Sequence, residues 1–325
     1  MSEERFFVTG ALGCIGAWVV RNLVREGKPT TIFDLGADTA RLRLIMSAEE
    51  LAQVKVIQGD ITDLNAVERA IAESGANLII HLAALQVPFC RADPTLGAQV
   101  NVVGTVNIFE AAKRAGLSRL IYASSVAVYG RSEEYEGVLE DTAVQSPRTL
   151  YGVYKQANEG TARVYWLDHG VSSVGLRPYT VYGPGRDQGL TSAPTRAMVA
   201  AAVGRPYQIG FSGRQGLQYT DDAARIFIQA ARAPYEGAGV FNLRGSLVDM
   251  TDVVAAIEKA LPTVGGMISF SGAPLPFPTE LADSGLRTLL GEVPYTPLEQ
   301  GVAESISIFR QALADGRLDP ARYLG

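Results

Sequence analysis

The chain has 325 residues, of which 47% are hydrophobic and 19% charged, with a formal net charge of -5; it is long enough to bury one large core or two modest ones. The acidic balance argues against a general affinity for nucleic acid, which needs a cationic surface, and no apolar run reaches the length needed to cross a bilayer. Two cysteines, Cys14 and Cys90, and two histidines, His81 and His169, are too few for a disulfide framework or a multi-histidine metal centre.

Met1 to Arg5 is charged and runs straight into a strand, unlike a secretion signal, so a soluble cytoplasmic protein is expected. Arg5 to Thr9 reads as that strand, and Gly16 to Glu26 as a helix ended by Gly27. Thr30 to Asp34, Lys55 to Gln58 and Leu78 to Leu82 read as the next three strands. Between the last two, Leu64, Val67, Ala70 and Ile71 recur at helical spacing within Asp63 to Glu73. Asn101 to Gly116 reads as a helix, Arg119 to Ala123 as a strand, Tyr151 to His169 as a helix, and Val174 to Leu176 as one more strand. Beyond it the order is less regular: helices at Thr251 to Ala260 and Leu298 to Leu313 alternate with Pro-rich connections such as Ala273 to Pro278. Asp221 and Asp222 are expected to cap a helix beginning at Ala223. Strands alternating with amphipathic helices predict an α/β fold with a doubly wound parallel sheet. The predicted division is residues 1–175 as the nucleotide-binding unit, with some later segments returning to it, and 176–325 as a mainly substrate-binding, interleaved unit.

The strongest local signal is Thr9-Gly10-Ala11-Leu12-Gly13-Cys14-Ile15-Gly16, set between the first strand and the first helix. A turn this tight needs glycine where the backbone approaches a pyrophosphate, and the helix start offers free N–H groups and a positive dipole end to the anion. Asp34 closes the second strand at the separation expected for a ribose contact. A carboxylate there accepts from the ribose hydroxyls and repels a 2′-phosphate, which favours NAD over NADP.

Farther on, Ser124-Ser125-Val126-Ala127-Val128-Tyr129-Gly130 follows the fifth predicted strand, and Tyr151 and Lys155 stand four residues apart on one helix face. A nearby ammonium favours the phenolate, so such a tyrosine can act as a base close to neutral pH. A serine hydroxyl can hold the substrate oxygen in line with it.

The Gly-x-x-Gly-x-x-Gly spacing resembles the extended short-chain dehydrogenases, the NAD-dependent epimerase/dehydratase group. Gly59-Asp60-Ile61, His81-Leu82-Ala83-Ala84 and Asn101-Val102-Val103-Gly104-Thr105 extend the likeness over nearly the whole chain. The resemblance implies a Rossmann-type fold with a smaller C-terminal substrate-binding domain, and a homodimer paired through the helices at Asn101 to Gly116 and Tyr151 to His169. It also implies a cofactor set of Gly10, Gly13, Cys14, Ile15, Gly16, Asp34, Asp60, Ile61, Leu82, Ala83, Ala84, Lys155, Tyr179 and Val181. By the same likeness Tyr151 is the general acid/base, Lys155 the ribose ligand and pKa modulator, and Ser125 the substrate-oxygen ligand, with Thr180 as a further substrate contact; Arg186 is a candidate for a carboxylate or phosphate on the substrate. His81 is read as a buried, hydrogen-bonded histidine, and Arg244 as a weaker candidate than Arg186.

Several residues depart from the family's pattern. Tyr154 stands where serine usually precedes the lysine and is read as a packing residue. Val126 and Ala127 stand where dehydratases carry an acidic pair, which disfavours elimination of water. Thr180 replaces a common asparagine, and Gln215 replaces the arginine that usually meets a nucleotide diphosphate; a neutral amide gives up charge-assisted pairing. The leading expectation is therefore an NAD-dependent dehydrogenase acting on a secondary alcohol of a sugar, sugar acid or similar polar molecule. The alternative is a nucleotide-sugar 4-epimerase with tightly bound NAD, and third comes a non-catalytic NAD-binding protein. No metal is expected.

Overall fold

The computed structural model describes residues 3–325; Met1 and Ser2, part of the charged opening segment, lie outside the described residues. Among the described residues twelve strands run β1 (Phe6–Thr9), β2 (Thr30–Asp34), β3 (Lys55–Gln58), β4 (Leu78–His81), β5 (Arg119–Ala123), β6 (Ser172–Arg177), β7 (Thr180–Tyr182), β8 (Tyr207–Ile209), β9 (Arg214–Tyr219), β10 (Ala238–Asn242), β11 (Ser246–Asp249) and β12 (Ile268–Phe270). Seven form one sheet in the order β10-β6-β5-β4-β1-β2-β3, parallel throughout. Its interior strand β1 is buried at every residue, as expected when helices cover both faces of a parallel sheet. The chain winds outward from β1 to β3 and then returns to β4 on the other side of β1. The crevice at the carboxyl ends of β1 and β4 is therefore the topological switch point, where such sheets bind ligands.

Most predicted elements appear within a residue or two. β6 runs from Ser172 to Arg177, longer than the Val174 to Leu176 expected, because polar residues also enter the interior. The Ser172 hydroxyl accepts from the Gly237 N–H, which satisfies it there. The predicted helix at Asn101 opens as a π-helical turn, Gln99–Val103, before the regular helix Gly104–Arg114. Asp221 and Asp222 are not caps. The helix begins earlier, spanning Thr220–Arg232 with Tyr219 at its N-cap. Asp221 instead accepts from Asn22 and pairs with Arg225, while Asp222 accepts the backbone N–H and hydroxyl of Thr296.

β10, from the later part of the chain, pairs in parallel with β6 and completes the main sheet. The remaining strands form two small sheets, β11-β9-β7 and β12-β8. One cluster of buried residues runs from Val8 and Ile80 in the main sheet through Tyr182 and Leu217 to Phe309. The second half is thus packed on the first through a shared core. No described helix is long and apolar enough to cross a membrane.

Candidate active site

The glycine turn between β1 and the first helix, Cys14–Arg25, is shaped by the lack of side chains. Gly10 sits at φ +67°, and a Cβ there would lie 2.5 Å from the Ala83 nitrogen, across the switch point. A Cβ on Gly16 would meet the Gly10 carbonyl oxygen at 2.3 Å. The absent side chains bring the backbone of both strand ends close together beside the helix N-terminus, a cradle that fits a pyrophosphate. Asp34 closes β2 and braces this turn, its carboxylate accepting from the N–H groups of Leu12 at 3.1 Å and Gly36 at 3.3 Å. Burial pushes the Cys14 thiol up to about 12, against the pull of nearby Arg186 and Arg41.

The loop after β4 is held by a chain of hydrogen bonds whose direction can be read. The Thr105 hydroxyl gives its proton to the Asn101 carbonyl (2.8 Å), so it accepts from His81 Nε2 at 3.0 Å. His81 Nδ1 then accepts the Thr9 hydroxyl at 2.7 Å, and Thr9 Oγ1 accepts from the Ala83 N–H. Burial holds the imidazole neutral, with its pKa lowered to about 3. The Asn101 side chain bonds both the N–H and the carbonyl of Leu85. His81 is thus the satisfied structural histidine expected from the sequence.

The sequence-derived candidates other than Arg244 line one cavity of about 610 Å³: Gly10, Gly13, Cys14, Ile15, Gly16, Asp34, Asp60, Ile61, Leu82, Ala83, Ala84, Ser125, Tyr151, Lys155, Tyr179, Thr180, Val181 and Arg186. Arg244 does not; it pairs with Glu280 at 2.7 Å and faces a second cavity. Asp60 accepts from the backbone N–H and hydroxyl of Thr62, turning the chain so that Ile61 tucks beneath Gly104.

Tyr151 and Lys155 lie on the first turns of the helix Leu150–His169, capped by the Thr149 side chain. The Ser125 side chain, whose Oγ accepts from the Ala127 N–H, lies beside the Tyr151 phenol, and burial raises the phenol pKa. Lys155 is buried. Its Nζ donates to the Ala123 carbonyl at 2.7 Å and lies 5.7 Å from the Tyr151 ring centroid. Burial outweighs the attraction of Glu159 and lowers the Lys155 pKa to about 8. Tyr154 turns aside, its hydroxyl donating to the Pro94 carbonyl.

Ser124 is engaged elsewhere. Its hydroxyl donates to Glu159 at 2.5 Å, and Glu159 forms a buried ion pair with Arg177 through contacts of 2.7 and 2.8 Å. Gln145 also donates to Glu159. Arg177 continues to Tyr129 and the Asp141 carbonyl. Glu159 stands one helical turn beyond Lys155, a spacing visible in the sequence, but its partners come from distant segments. Arg41, Gln86 and Phe277 also line the cavity and were missed; only the aromatic in a Pro-rich loop hinted at Phe277, which packs edge-on against Tyr179.

Thr180 reaches the cavity wall, but its hydroxyl donates to Gln215 at 2.7 Å, and Gln215 is buried. Arg186 donates from Nη2 to Thr191. Its buried Nε and the buried Oε1 of Gln86 have no hydrogen-bond partner among the described residues. Both belong to residues of the cavity wall. No cluster of His, Cys, Asp and Glu among the described residues could hold a metal ion.

A model of the NAD dependent epimerase/dehydratase family matches residues 6–243. The chain is 29% identical over 321 residues to a UDP-glucose 4-epimerase of Mycolicibacterium smegmatis, covering 94% of this chain and 98% of that protein. It is 27% identical over 339 residues to a probable UDP-glucuronate 4-epimerase of Rhizobium meliloti, covering 94% and 97%. Among solved structures, MoeE5 in complex with UDP-glucose and NAD superposes with a TM-score of 0.79 at 27% identity, covering 95% of this chain and 99% of that one.

Proposed function

The chain belongs to the NAD dependent epimerase/dehydratase family, with NAD as its cofactor, and from that premise we propose that it is a UDP-sugar 4-epimerase that keeps its NAD between turnovers. The observation that carries this reading is the meeting of Ser125, Tyr151 and Lys155 on the wall of the cavity that starts at the glycine turn. The relatives of similar length, whose names are those of sugar-nucleotide epimerases, supply the choice of reaction.

Tyr151 takes the proton of the sugar hydroxyl, and Ser125, beside the phenol, holds the same oxygen in line. The Lys155 ammonium, fixed by the Ala123 carbonyl, favours the phenolate. Bound NAD would supply a reversible hydride acceptor for the carbinol carbon. Tyr151 then returns the proton to the oxygen, and the product differs only if the sugar has presented its other face. Gly10, Gly13 and Gly16 would admit the pyrophosphate and Asp34 would hold the adenosine ribose, while Tyr179 and Val181 would flank the reacting end. Val126 and Ala127 are buried apolar residues beside Ser125 and offer no acid or base for eliminating water. Arg186, with one buried N–H unpartnered, is the cation for the negative charge of a nucleotide sugar.

Gln215 keeps the dehydrogenase as a second reading, because the position lacks a cation. In this fold, however, the amide is buried against Thr180 rather than open to the cavity, so its neutrality weighs less on the choice of substrate. The test is absorbance of NADH while purified protein and NAD are incubated with free sugars, sugar acids and nucleotide sugars. A nucleotide sugar turning into its 4-epimer without NADH accumulation supports the epimerase; NADH rising with a free compound overturns it in favour of the dehydrogenase. Tyr151→Phe should lower turnover by roughly 10²- to 10⁴-fold, and full activity in that variant would remove Tyr151 from the mechanism.

A further inference from the structure

Two chain segments contribute walls to the cavity: Asp34 to Arg41 after β2, and Arg186 to Thr191 after β7. They are joined by charges that no sequence motif announced. The Asp187 carboxylate, with 2% of its side chain exposed, accepts from Arg41 Nε at 3.1 Å and from Arg41 Nη2 at 2.7 Å. It also accepts from Arg322 Nε at 2.5 Å. Arg41 spends its third nitrogen on the Leu12 carbonyl of the glycine turn, at 2.8 Å. Arg322 reaches back to the first wall through Asp38, at 2.6 Å.

Charges of alternating sign thus run Asp38, Arg322, Asp187, Arg41 and end on the turn that would hold the pyrophosphate. Tyr323 adds a neutral stitch beside them, its hydroxyl accepting from the Gly185 N–H and its carbonyl from Arg196. Neither wall can swing away from the glycine turn without breaking the inner pair, which is poorly exposed and costly to separate.

We propose that this ionic strap sets the rate at which the dinucleotide leaves, so that Asp187, Arg41 and Arg322 are positioning residues for cofactor retention. The proposal rests on the cofactor assignment above and supplies a physical means for the retention that an epimerase needs. The inner pair, Arg41 with Asp187, is shielded from solvent, whereas the outer pair is open, Arg322 and Asp38 being 26% and 59% exposed. The outer pair is therefore open to screening by salt and the inner one much less so.

The test uses the whole protein and no substrate. Protein loaded with NADH is mixed with excess NAD, and loss of the bound NADH fluorescence gives the release rate. Asp187→Asn, which removes the central charge of the strap, should speed release by roughly tenfold or more. Arg322→Ala should speed it less and remove most of the acceleration that added salt produces in the parent. Should Asp187→Asn fail to fold, Arg322→Ala and the salt series carry the test alone. Release that is equally slow in the folded variants, or independent of salt in the parent, overturns the proposal. A general loosening of the structure would lower the melting temperature without abolishing the salt dependence, and that result also counts against it. Because sugars play no part, failure here and failure of the epimerase reading are separate outcomes.

Discussion

At the scale of single residues, the chemistry turns on a buried cation beside a phenol. Burial disfavours the charged form of Lys155 and brings its pKa down to about 8. The ammonium is therefore complete below that pH and lost as pH rises through it, and with it goes the charge that favours the Tyr151 phenolate. The alkaline limb of kcat/KM, which reports the free enzyme, should fall near pH 8. In Lys155→Arg, whose charge persists, that limb should move to higher pH even if the overall rate drops. An unmoved limb would assign the titration to another group. The glycine turn, Asp34, Ser125, Tyr151 and Lys155 could be read from the sequence because each role depends on near neighbours in the chain. Arg41, Asp187 and Arg322 could not. An arginine and an aspartate are ordinary surface residues until the fold places them 2.7 Å apart.

At the scale of elements, the site stands on the Glu159–Arg177 pair, which ties the catalytic helix to the end of β6. Removing one partner leaves the other charge buried and unpaired, so Glu159→Gln should cost about 3–5 kcal/mol of stability, measured by urea unfolding. Replacing both, as in Glu159→Leu with Arg177→Met, should restore much of that loss, since well-packed apolar substitutes avoid the desolvation of both ions. A double variant as unstable as the single one would mean that the hydrogen bonds to Ser124, Gln145 and Tyr129 carry the stability instead. Element boundaries were legible where hydrophobic periodicity was unbroken. They slipped where polar residues found tertiary partners, as at Ser172 in β6 and at Asp221 and Asp222 in the first turn of their helix.

At the scale of the whole molecule, the catalytic helix has a second face. Val153, Ala157, Gly160, Val164 and Leu167 recur at helical spacing along it, and all five are exposed. An apolar stripe this long suits a second copy of the chain, so light scattering should give a dimer mass and Val164→Asp a monomer; a monomeric parent protein would refute this. The doubly wound sheet was legible because each strand and helix announced itself locally, while which later segment returns to it was not, since Ala238–Asn242 is short and far from the strand it pairs with. That return bears on how the protein is made. As the chain leaves the ribosome, β6 is complete while its outer edge still lacks β10, and Arg177 waits for Asn242, the residue opposite it in the finished sheet. An open strand edge is a hazard during synthesis, so the first half on its own is a sticky intermediate rather than a finished domain, and expression of residues 1–177 alone, with β6 whole, should yield aggregate instead of a free nucleotide-binding unit.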